Sequence, residues 1–123
     1  MNEYTPDHWL VLRIHTAKKV IYKVFATWSG GYGGSDSWKL NSGIVSAQLF
    51  DSRWQFSGSS GSVYSCHQDS YGAGGYGGSV LSNMISQAQE QGIQVEVMDG
   101  ETNWAQLQYD PLAQWIQTGV EDA

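Results

Sequence analysis

The hexapeptide Gly-Gly-Tyr-Gly-Gly-Ser occurs twice in this chain, at residues 30–35 and 74–79. Runs of glycine let the backbone come close to another surface, and successive N–H groups there can converge on an anion. The second copy leads into a helical pattern, which would set its last amides at the positive end of a helix. Each copy centres a tyrosine whose flat face can stack on a base. Tyr32, Gly33 and Gly34 in the first copy, with Tyr76, Gly77, Gly78 and Ser79 in the second, are therefore candidate ligand-binding residues. The spacing lacks the Gly-Lys-Ser/Thr of a phosphate loop and the dinucleotide fingerprint. Loops of Gly, Ser and Tyr also serve as plain connectors, with the tyrosine pinning the loop to the surface.

The neighbouring residues extend both readings. In SWKLNSG, residues 37–43, Lys39 and Asn41 can meet a phosphate and a base edge while Trp38 stacks. The competing reading packs Trp38 and Leu40 under the loop and uses Asn41 as a cap. Asp-Ser recurs at 36, 51 and 69. The middle pair reads as a turn, whereas Asp36 and Asp69 flank the glycine clusters and can accept from a ribose or base. Cys66 and His67 are adjacent, and on a strand they face opposite ways, so they form no nucleophile–base pair. Cys66 reads as a small buried hydrophobe, and His67 stands outward as a ligand contact. His8, His15, His67 and Cys66 lack metal-ligand spacing, so no metal and no cofactor is expected.

The elements that must position these residues follow from periodicity. Residues 9–28 alternate as a β-hairpin around Thr16–Lys19, and 29–43 read as irregular. Val45, Ala47 and Leu49 mark an inward face, Asp51-Ser52 a tight turn, and Trp54 and Phe56 the inward face of the partner strand. GSSGS at 58–62 turns the chain into a strand over 63–68, and IQVEVM at 93–98 is another. Val80, Leu81, Met84, Ile85 and Ala88 share a stripe at helical spacing, predicting an amphipathic helix over about 79–91 that Gly78 or Ser79 caps and Gly92 ends. Asp110-Pro111 starts a short C-terminal helix that Gly119 stops. The expectation is one α+β domain over 1–123: a mostly antiparallel β-sheet, strands meandering, with covering helices. The flanks of the two glycine copies share no register, so they are similar loops and no duplication.

Composition bounds the partners. Lys and Arg number 6 against 12 Asp and Glu, for a net charge of −6, and no basic stripe serves duplex nucleic acid or an anionic membrane. One cysteine, no leader at the N-terminus and no long apolar run predict a cytoplasmic protein. Six tryptophans are many for 123 residues, enough to furnish a pocket or an interface beyond the core.

The run YKVFATWSGGY…GGSDSWKLNSGI, residues 22–44, with FSGSSGSVYSCHQDSYG, residues 56–72, resembles a group of small bacteriophage accessory proteins that share a WxGGY loop, a DSWxLNSGI segment and a GxSGSxYxCH strand. That resemblance implies action in the host bacterial cytoplasm and a context of countering host defence; it assigns no catalytic residue. The leading expectation is a non-enzymatic sponge for a nucleotide-derived immune signal, a phosphate-containing small molecule. Trp38, Tyr32 and Tyr76 would stack on the base, the second glycine loop would hold phosphate, and Asp36, Asn41 and His67 would read polar edges. The alternatives are an inhibitor binding a host defence protein directly, and a small hydrolase or lyase using His67 with Asp69 or Asp36. Homo-oligomerisation is compatible with each, since a small chain can complete its pocket across a subunit boundary.

Overall fold

Alternation of side chains dictates a layered arrangement. The computed structural model describes residues 3–29 and 36–109, the side chains of 74–76 excepted. Its strands are β1 (Glu3–Tyr4), β2 (His8–His15), β3 (Val20–Trp28), β4 (Ser37–Leu40), β5 (Ile44–Phe50), β6 (Arg53–Gly58), β7 (Val63–His67) and β8 (Gln94–Val97), with one helix, α1 (Gly74–Glu90). Two 3-10 turns cover Gln68–Ser70 and Trp104–Gln106. The α+β class and the predominantly antiparallel pairing are as the sequence predicts. The single sheet is not: the strands divide into two four-stranded sheets, ordered β1-β7-β6-β5 and β4-β3-β2-β8. Only the β1–β7 pair is parallel among the described ladders.

Both faces of the second sheet are covered, which accounts for the near-continuous burial of β2 and β3. On one face, Trp9, Val11, Val24 and Ala26 meet Ile44, Trp54, Phe56, Tyr64 and Cys66 of the first sheet, with Trp104 plugging the end. On the other face, Leu10, Leu12, Ile14, Phe25 and Leu40 meet Leu81 and its helical neighbours. The predicted hairpin, the β5–β6–β7 meander and the Asp51-Ser52 turn are present, the last with both residues at positive φ (52° and 68°), as a two-residue hairpin requires.

Three predicted details shift. Part of the stretch read as irregular is β4, paired with β3 from Phe25↔Leu40 to Trp28↔Ser37. A bulge between Ile44 and Ser46 sends Ile44 into the core where Val45 was expected, and Leu49 is 48% exposed although it faces Trp54 across the ladder. The helix begins at Gly74 with Ala73 as N-cap, five residues before Ser79. Glycine's poor helix propensity hides that start, which packing imposes instead. Its end is as predicted: Gly92 takes φ 78°, and Ile93 N–H reaches back to Ala88 C=O. The predicted C-terminal helix lies outside the described residues.

Packing explains one of those helical glycines. A Cβ on Gly77 would stand 3.0 Å from Thr27 Cγ2 and 3.6 Å from Phe25 Cε2, so α1 touches the sheet there, while Gly78 has nothing within 4 Å. Gly77→Val is expected to cost about 2 kcal/mol through overpacking. Gly78→Ala is expected to stabilise by about 0.5–1 kcal/mol through helix propensity. Urea unfolding of both variants measures this, and equal effects at the two positions would refute the contact.

Candidate functional site

The second glycine cluster forms the start of α1, where a loop was expected. From Gly77 onward the helical ladder uses the backbone amides, so Gly77, Gly78 and Ser79 do not form an anion nest. The amides outside that ladder belong to 73–76, a turn earlier than expected. Trp38 and Lys39 lie on opposite faces of β4. Trp38 packs on Phe25 with ring centroids 5.7 Å apart, and Lys39 Nζ sits 5.3 Å from the Tyr4 ring centroid. Trp38 and Gly77 therefore border the same phenylalanine. Asp36 is exposed just before β4. Tyr32, Gly33 and Gly34 lie outside the described residues, as does the Tyr76 side chain.

Asn41 is fully buried and works as a strand surrogate. Its N–H donates to Val24 C=O (3.0 Å) and its Oδ1 accepts from Val24 N–H (2.9 Å). The side chain thus replaces a backbone carbonyl where the chain leaves β4 to cross into the other sheet. Its Nδ2 is buried with no hydrogen-bond partner among the described residues.

His67 is half-buried, and Cys66 on the opposite face is sealed in the core, where burial drives its thiol far above the ordinary range and leaves it protonated. His67 Nδ1 accepts from Asp69 N–H at 3.1 Å, capping the 3-10 turn, and lies 4.0 Å from Asp69 Oδ2. Its carbonyl accepts from Trp9 Nε1–H at 2.8 Å. These bonds fix a corner of the fold.

Beside that corner the structure assembles a cleft of about 570 Å³ that no local motif announces. Buried Trp9, Trp54 and Trp104 form its floor, and exposed Leu49 its apolar lip. Asp69, its side chain 89% exposed, and exposed Glu101 stand on the rim. No lysine or arginine is among the described lining residues. The cleft walls come from β5, β6, the Gln68–Ser70 turn and residues 100–105, which only the tertiary fold brings together. The recurrence of tryptophan and the Asp69-Ser70 pair were its sequence traces.

Two wall segments are held by Tyr71. Its ring lies over Gly100, where a Cβ would stand 2.7 Å from Cδ2. Its hydroxyl donates to Met98 C=O (2.7 Å) and accepts from Val11 N–H (3.2 Å), and burial raises the phenol to about 12. Among the described residues no group of three His, Cys, Asp or Glu side chains could hold a metal ion, and no helix is long and apolar enough to cross a membrane.

A second polar cluster joins β2 to β8. Arg13 Nε and His15 Nε2 each lie 2.7 Å from Glu96 Oε1. The hydrogen bond from Arg13, then that from His15, holds the Glu96 carboxyl down at about 2 against an ordinary 4.5. A carboxyl depressed on folding stabilises above its unfolded value, and that contribution fades as pH falls from about 4.5 towards 2. Urea midpoints followed from pH 6 to 2.5, a range spanning about two units on either side of the carboxylate value, are expected to fall further for wild type than for Glu96→Gln. Parallel curves would show that the cluster adds nothing.

Comparison with known proteins finds no matching family model, no matching curated protein and no matching solved structure.

Proposed function

We propose that this chain is a non-enzymatic binding protein that seats a basic segment of a partner protein in the tryptophan-floored cleft. The observation that carries this reading is the cleft itself: an aromatic floor, an apolar lip and two carboxylates without a lining cation. Arginine or lysine side chains match it in both halves, since their stems cover apolar surface while their heads meet Asp69 and Glu101. The net charge of −6 draws such a segment in from a distance. In the phage setting that the resemblance implies, the partner is a host defence protein in the bacterial cytoplasm, and occupancy inhibits it.

The nucleotide sponge is the second reading. It is favoured by one observation: Trp38 and the start of α1 converge on Phe25. Equilibrium dialysis against cyclic and linear nucleotides addresses it, a sponge returning its ligand unchanged after heat release.

For the leading reading, the probe is a fluorescein-labelled peptide alternating arginine and leucine, titrated by anisotropy. Binding is expected to weaken with salt, and Asp69→Lys/Glu101→Lys to lower affinity about tenfold or more. Unchanged affinity in that double variant, or equal binding of an aspartate–leucine peptide, would defeat the proposal.

A further inference from the structure

A lysine occupies a core position on the helix-covered face of the central sheet. The positions of β3 that face α1 run Ile21, Lys23, Phe25, Thr27, and Lys23 is only 1% exposed. A buried lysine needs compensating partners, whereas an apolar residue would fill this position of the alternation without them. Directly beside it lies a cavity of about 100 Å³ between α1 and the sheet. Its walls are apolar, with Leu12 and Ile14 from β2 and Met84 and Ala88 from α1, and exposed Gln87 and Gln91 border it on the helix side.

We propose that this cavity binds a short-chain aliphatic carboxylate, its tail against Leu12, Ile14 and Met84 and its carboxylate on the Lys23 ammonium. The space is smaller than the roughly 150 Å³ that accommodates benzene, which limits the tail to about four carbons. An ammonium offers three donors, so Lys23 can keep contacts within the protein and still meet a ligand oxygen. Ala88 is the small residue of the helical stripe and lines the space from the helix side. This ligand is independent of whatever occupies the tryptophan cleft, since the cavity lies on the other face of the sheet.

Saturation-transfer NMR and thermal melts with pentanoate, pentanol and pentylamine test the assignment on the whole chain. Pentanoate is expected to bind saturably and raise the melting temperature, and pentylamine to do neither. Lys23→Met, close in volume, should remain folded by circular dichroism and bind pentanoate about tenfold more weakly while keeping pentanol. Ala88→Leu fills the cavity without touching Lys23 and should abolish binding of both. Absence of pentanoate binding to wild type, equal binding of pentylamine, or full pentanoate affinity in the folded Ala88→Leu variant would overturn the proposal.

Discussion

The fold turns on the indole of Trp9. It belongs to the helix-covered sheet, but its Nε1–H reaches the His67 carbonyl at the end of β7 in the other sheet. Around the ring, Phe56, Tyr71 and Trp104 approach with centroids 5.4, 4.7 and 6.1 Å away, mostly edge to face, the arrangement aromatic quadrupoles favour. One side chain thereby fixes the spacing of the two sheets, the backbone of the Gln68–Ser70 turn and the floor of the cleft. Tyr71 extends the tie. Its hydroxyl stands between Val11 N–H and Met98 C=O, filling the place where β8 leaves the ladder of β2. The floor of the cleft and the segments beside it share these same bonds.

Charge placement gives the cleft its sign. The chain has six cationic side chains besides histidine. Arg13 is committed to Glu96, Arg53 to Ser65, and Lys39 rests over Tyr4. Lys23 is buried beneath α1, and Lys18 and Lys19 occupy the turn between β2 and β3. None is among the described lining residues of the cleft, and beside it His67 Nδ1 lies 4.0 Å from Asp69 Oδ2. Asp69 and Glu101 thus bring two of the chain's acidic side chains to the edge of a tryptophan floor.

Local patterns carried most of the strand and helix content. Period-two alternation located β2 and β3, Asp51-Ser52 located a turn, and the stripe from Val80 to Ala88 located the helix. What failed to show was long-range. Glu96 reaches Arg13 across 83 residues, and no window of sequence indicates which of two sheets a strand will join. The candidate site suffered most, because polar residues beside glycines look like ligand contacts until packing is known. Asn41 Oδ1 is bound to Val24 and Trp38 packs on Phe25, while Trp54, Asp69 and Glu101 meet only after the sheets stack. Lys23 did leave a legible trace: it shares a face with Ile21 and Phe25, where alternation calls for an apolar residue.

The second glycine cluster and the lysine cavity are two ends of one helical seat. At Gly77 the backbone of α1 comes close enough that a Cβ would stand 3.0 Å from Thr27 Cγ2, and two to three turns later Met84 and Ala88 line the cavity beside Lys23. A bulkier residue at Gly77 would press on Thr27 and shift α1, so in the proposed binding this glycine acts through the helix it seats. Within the hexapeptide that suggests an anion nest in isolation, Gly77 is, once packed, a point where the helix flanking the cavity meets the sheet.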